Sequence, residues 1–174
     1  EQFEAAIKEL QGQGMASVIV DLRDNPGGVL QSVCKMLDLF LPEGVLVYTE
    51  DKYGNRTDFK SDKTHMEIPM AVLINGNSAS ASEIFAGAIK DYKYGTLVGT
   101  TSFGKGIVQT IVPMDDGSAV KVTMAKYFTP NGNYIHDVGI SPDIELEYEY
   151  QGEEGEEYNP LHDNQVLKAL EALK

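Results

Sequence analysis

The chain has 174 residues, 42% of them hydrophobic, enough for one domain with a substantial core. A formal charge of −13 argues against a nucleic-acid partner, whose phosphates would be repelled over most of the surface. No apolar run approaches the roughly 20 residues that span a bilayer. The single cysteine, Cys34, excludes an internal disulfide and any cysteine-based zinc site. Its place in an apolar helical pattern predicts a buried structural thiol. The chain starts at Glu1 with no Met, basic n-region or apolar h-region, which points to a processed or excised fragment without a signal peptide.

Phe3, Ala6, Ile7 and Leu10 recur at helical spacing, and Gly12 and Gly14 close that helix. Ser17 to Leu22 is short, apolar and β-branched, so it predicts a buried strand. Val29 to Leu41 returns to helical spacing until Pro42 stops it, and Val45 to Thr49 predicts a hairpin with a partner beyond Tyr53-Gly-Asn55. Met70 to Asn75 predicts a second buried strand, followed by a helix from about Ser80 to Tyr92 and a short strand over Thr96 to Gly99. Val108 to Pro113 and Ala119 to Tyr127 flank Asp115-Asp-Gly117 and predict a further hairpin. Asp143 to Glu157 holds eight acidic residues and no basic one, the pattern of a solvated edge or tail. Val166, Leu167, Leu170 and Leu173 predict a closing amphipathic helix. Strands alternating with helices imply parallel βαβ units with some antiparallel pairing, in a single α/β domain over residues 1–174.

Two segments carry chemistry. Ser80 lies in Asn75-Gly-Asn-Ser-Ala-Ser-Ala-Ser-Glu83, at the start of the predicted helix. Ser80 and Glu83 fit a capping box, and capping alone would explain the serine. A serine at a helix start also has free backbone N–H groups beside it and a dipole that favours negative charge. The Ala81 N–H then stands where an oxyanion would develop, and removing one such donor costs about 2.7–4 kcal/mol of transition-state stabilisation. Ser78 and Ser82 remain rivals for the nucleophile.

Lys105 lies in Thr101-Ser-Phe-Gly-Lys-Gly-Ile-Val-Gln109. A serine hydroxyl needs a base, and a lysine serves only when neutral. Bringing an amine from its reference of about 10.4 to about 7 requires destabilising the ammonium by about 4 kcal/mol, which burial without a carboxylate supplies. No Asp or Glu occurs between Val98 and Met114, and Gln109 at i+4 offers a neutral amide to orient the amine. The competing readings are a solvated surface lysine and a phosphate loop. The latter is weak because Gly106, rather than Ser or Thr, follows the lysine.

Asp21-Leu-Arg-Asp-Asn-Pro-Gly-Gly28 follows a predicted strand and precedes a helix, so its glycines can present a second oxyanion donor or form a plain turn. Arg23 is expected to pair with Asp21 or Asp24 and stiffen that loop. His65, His136 and His162 are far apart and none sits in an H-E-x-x-H pair; His136 with Asp137 is a weak candidate for a Ser/His/Asp triad.

Together these segments resemble the catalytic domain of the C-terminal processing peptidases, or tail-specific proteases, of bacteria and plastids. The resemblance also covers Tyr127-Phe-Thr-Pro-Asn-Gly132 and Gly139-Ile-Ser-Pro-Asp143. It implies a ClpP/crotonase-like ββα spiral, a mixed sheet with flanking helices. It also implies Ser80 as nucleophile, Lys105 as general base and Gln109 as the residue that orients it. The oxyanion donors would be the N–H of Ala81 and one from Gly27-Gly28, with Gly28 preferred. Gly27, Tyr134 and Ile135 are candidates to line a substrate groove. Family members carry a PDZ domain just upstream, which these 174 residues lack; such domains capture extended C-terminal peptides by strand addition.

The reading is a serine endopeptidase that cleaves protein or peptide tails near their C-termini without metal or organic cofactor, in the bacterial envelope by resemblance. Two alternatives stand beside it: a non-catalytic peptide- or lipid-binding module on the same scaffold, and a crotonase-type acyl-CoA enzyme.

Overall fold

The computed structural model describes residues 1–153 and 155–174, so Glu154 of the acidic stretch lies outside the described residues. Helix α1 (Gln2–Gly12) leads into strand β1 (Val18–Asp21) and helix α2 (Leu30–Asp38). The hairpin β2 (Gly44–Asp51) and β3 (Arg56–Ser61) follows, then β4 (Met70–Ile74), α3 (Ala81–Asp91) and β5 (Gly95–Gly99). A long hairpin, β6 (Ile107–Pro113) and β7 (Ala119–Phe128), precedes the two-residue strand β8 (Ile144–Glu145) and α4 (Asn164–Ala172).

The strands divide into two sheets. One has the order β1-β4-β5-β8 with every pairing parallel, and the other runs β3-β2-β7-β6 with every pairing antiparallel. The two kinds of pairing expected from the sequence thus separate into two layers. The apolar run of β4 follows from its central place, since a parallel strand covered on both faces has no polar side. Met70, Val72 and Ile74 enter the main core with Val33, Leu37, Phe40, Phe85 and Ile89 of α2, α3 and the turn after α2. Ala71 and Leu73 point the other way, to a smaller core with Val98 and Ala169, on which Val166 and Leu173 also pack. The closing helix is therefore the cover of the second face.

The acidic stretch is more than a solvated edge. Ile144 and Glu145 pair with Val98 and Gly99, and the Asp143 carboxylate accepts the Leu97 N–H at 2.9 Å. A net charge per segment does not reveal backbone pairing, which is why composition misreads it. Cys34 is half-buried, and burial, then the Asp38 charge, pushes its thiol up to about 11. No helix among the described residues is long and apolar enough to cross a membrane.

Candidate active site

Three loops meet where the two sheets join. The first follows β4. Its Ser78 is fully buried, donating to Leu22 O at 2.7 Å and accepting the Asn75 N–H, while Ser82 donates to Asn25 O at 3.0 Å. Both rival serines are therefore spent on holding this loop to the one after β1. Ser80 between them is half-buried and faces a cleft of about 310 Å³.

Ser80 has φ 57° and ψ −115°, outside the conformations that a side-chain-bearing residue favours. Such strain costs of order 1–3 kcal/mol and persists only where neighbours over-determine it. Here they do. The Ser80 N–H donates to Glu83 Oε2 at 2.8 Å, its carbonyl accepts the Glu83 and Ile84 N–H groups, and the Tyr127 hydroxyl lies 3.1 Å from the same carbonyl.

The second loop, 102–106, is tied to the first by the same two residues. Glu83 is fully buried, and besides Ser80 its carboxylate accepts the Ser102 hydroxyl and Gly104 N–H, both at 2.6 Å, and the Lys105 N–H at 2.8 Å. The Tyr127 hydroxyl also donates to the Lys105 carbonyl. Burial, with the Glu83 charge adding to it, holds the Tyr127 phenol far above its ordinary range, so it stays a donor. On the other flank the loop presses on residues 136–139, where a Cβ at Gly106 would lie 2.7 Å from His136 N.

The third loop contributes Gly27 and Gly28. Gly27 has φ +94°, and a Cβ there would lie 2.5 Å from Ala79 O and 2.6 Å from Ala81 N, so only glycine allows this approach to the serine loop. Its N–H is taken by Asn25 Oδ1 at 2.9 Å. Among the described residues, neither the Gly28 N–H nor that of Ala81, the first residue of α3, is engaged. Both residues line the cleft with Ser80.

Lys105 and Gln109 line that cleft too, both half-buried. Lys105 makes no ion pair among the described residues. The expected bond between Gln109 and the amine is not formed; the Gln109 amide donates to Thr123 Oγ1 at 3.3 Å instead. Gln109 sits on a strand, where a rise of about 3.3 Å per residue carries i+4 much farther from i than helical spacing would.

Two further expectations, on Tyr134 with Ile135 and on His136, differ from the placement observed. Ile135 is 3% exposed and belongs to the core, and the Tyr134 ring packs at a tilt between Phe128 and His136; neither lines the cleft. Their polar-flanked position in the sequence concealed that burial. Gly27 borders a neighbouring apolar pocket of about 220 Å³, lined by Val33, Met36 and Phe85, which shares Gly28 and Ala81 with the cleft. His136 turns to the backbone of the lysine loop, its Nδ1 lying 3.2 Å from Gly104 O and 3.3 Å from Gly106 N, rather than to Ser80.

Sequence reasoning treated Glu83 only as half of a capping box and Tyr127 only as the end of a strand. The signal for Glu83 was its type: a carboxylate at the third position of an otherwise apolar, buried helix.

Two layers meeting at a strained serine define the class of fold as ClpP/crotonase-like, and comparisons with known proteins agree. The photosystem II D1 C-terminal processing protease superposes with a TM-score of 0.75 at 41% identity, over 82% of this chain and 38% of that one. Mature CPAF, at 17% identity and a TM-score of 0.67, shares the fold. The model of peptidase family S41 matches residues 1–146, and the chain belongs to that family. It is 45% identical over 152 residues to a carboxy-terminal-processing protease of Bartonella bacilliformis, covering 83% of this chain and 35% of that protein. It is 43% identical over 143 residues to a carboxyl-terminal-processing protease of Synechocystis, covering 82% and 34%. The chain thus spans about a third of the length of these relatives.

Proposed function

We propose that the chain is the catalytic unit of a serine endopeptidase that cuts protein substrates near their C-termini, with Ser80 as nucleophile and Lys105 as general base. One observation carries this reading: a conformationally strained Ser80 shares a cleft with Lys105 and with the unengaged N–H groups of Gly28 and Ala81. Lys105 Nζ takes the Ser80 proton as Oγ attacks the scissile carbonyl. The Gly28 and Ala81 N–H groups receive the oxyanion. The ammonium then protonates the leaving amine, and water activated by Lys105 hydrolyses the acyl-enzyme. Gln109 orients the amine once substrate fills the cleft and its amide leaves Thr123. The apolar pocket beside Gly28 takes an apolar side chain next to the scissile bond. The relatives' printed names support tail processing as the task and a C-terminal protein segment as the substrate. The family resemblance adds to this proposal a location in the bacterial cell envelope or outside the cell.

The test is peptide hydrolysis by the purified chain and two variants. Ser80→Ala and Lys105→Ala should each lose at least about 10³-fold in kcat with unchanged circular dichroism. Hydrolysis by Lys105→Ala within tenfold of the parent would remove the dyad. Tail peptides that bind the parent and are never cut would favour the binding-module reading.

A further inference from the structure

We propose that Asp163, at the head of α4, is a positioning residue for the oxyanion loop, acting through Arg23. This rests on the reading of Gly28 as an oxyanion donor and extends it to a part of the chain that the S41 family model, ending at residue 146, does not reach.

The Asp163 side chain is fully buried, and each of its oxygens is occupied. Oδ1 accepts the N–H groups of Gln165 and Val166 at 2.9 and 3.1 Å, capping α4. Oδ2 accepts the Tyr158 hydroxyl at 2.9 Å and pairs with Arg23 Nη2 at 2.8 Å. Arg23 is 11% exposed in its side chain, and its Nη1 donates to Gln165 Oε1 at 2.9 Å. Gln165, itself buried, is anchored to Leu146 O. Burial works against both charges; the ion pair and its hydrogen bonds outweigh it, raising Arg23 and lowering Asp163 from their ordinary ranges.

A cap needs only an acceptor, and an uncharged residue would serve. This one is a buried charge spent on the loop that holds Gly28. Arg23 opens the irregular segment from β1 to Gly28, with Asp21 clasping its guanidinium and its own N–H. The next residue, Asp24, has φ 57° and binds the amides of Asn75 and Asn77. Asn25 then ties the segment to Ala79, Ser82 and Gly27. Beyond Arg23 the segment is tied to the serine loop and, through Ser82, to the first turn of α3; the Arg23–Asp163 pair fastens its other end to α4, the helix that packs on the opposite face of the sheet. Removing the Asp163 charge leaves the buried Arg23 guanidinium with Asp21 as its one carboxylate partner among the described residues, which moves with the same loop, so the tie between that loop and the helix head loosens. The consequence is specific: the donor moves, while the cleft walls that bind substrate stay.

The experiment compares the parent with Asp163→Asn, which keeps the capping oxygen and removes the charge, by amide hydrogen exchange and steady-state kinetics. Exchange at the hydrogen-bonded amides of Asp24, Asn25 and Gly27 should accelerate about tenfold or more, and kcat should fall at least about tenfold with KM within threefold, as expected when a reacting group is misplaced from afar. Tyr158→Phe, which leaves the ion pair intact, should change neither. If Asp163→Asn does not fold, Gln165→Met, which removes a neutral bond to Arg23, should raise exchange at the same residues to a smaller degree. Unchanged exchange at Asp24, Asn25 and Gly27 in the folded variant overturns the proposal. Because exchange is read without substrate, it decides the clamp even if the parent cleaves nothing, the outcome that would sink the peptidase reading instead.

Discussion

Every residue of β4 is buried, and the loop it feeds holds Ser80 by its N–H, its carbonyl and the close backbone of Gly27. The other sheet projects β6 and β7 into solvent with Ile111, Val112, Met114, Val120, Val122 and Met124 exposed. Lys105 lies at the root of that hairpin, just ahead of β6. The proposed nucleophile, Ser80, therefore sits in a frame rigid enough to keep a strained backbone, whereas the proposed base, Lys105, is fixed through a loop held between that frame and residues 136–139. Glu83 and Tyr127 supply the side-chain contacts, beside one backbone bond from the Phe103 N–H to Ser78 O at 3.0 Å.

The comparison can be broken most severely at Glu83. Glu83→Ala would strand the N–H groups of Ser80, Gly104 and Lys105 and the Ser102 hydroxyl in a dry interior. It should cost at least about 4 kcal/mol in urea unfolding, with hydrolysis lost in whatever protein remains folded. A loss under about 1 kcal/mol would mean that the two loops hold each other without it. The contrast between the sheets is sharpened by a matched pair. Leu73→Ala, in the fully buried strand, should cost about 2–5 kcal/mol, and Val122→Thr, on the exposed hairpin, less than about 0.5 kcal/mol. Equal costs would show that the hairpin is packed in solution.

Much of this was legible in the chain itself. The periodicity of Phe3 to Leu10 and of Val166 to Leu173, the apolar runs of β1 and β4, and the Asp115-Asp-Gly117 turn depend on local rules that spacing exposes. The glycine loops were legible for the same reason, since a backbone that must pass close to another needs glycine whatever lies across from it. Glu83 and Asp163 were not legible in their full roles. Each caps its own helix, and that local function hides a second set of partners 19 and more residues away. Tyr127 was obscured differently, because the hairpin's residues look alike in sequence while only its root is buried. Gln109 was read onto a strand, as found, but its bond to Thr123 across the hairpin depends on a register that spacing does not expose.

The smallest expected effect lies far from the cleft, in the acidic segment. The Tyr150 hydroxyl, then His162, hold the Glu156 carboxyl down from its ordinary 4.5 to about 2. A carboxyl lowered in the folded chain stabilises it fully above pH 4.5, and that share disappears as pH falls through about 2. Glu156→Gln should therefore lower Tm slightly at neutral pH and show a shallower fall of Tm between those two values, so that parent and variant converge below about pH 2. An identical slope in parent and variant would show that the segment is detached in solution.

The central claim is that the strained, helix-capping Ser80 is the nucleophile that Lys105 activates. Its most direct test is the mass of the peptide modified by a fluorophosphonate. The account predicts one adduct per chain, located on Ser80 and on neither Ser78 nor Ser82, and none when Lys105 is alanine. An adduct on another residue, or labelling of Ser80 at the parent rate without Lys105, would contradict it.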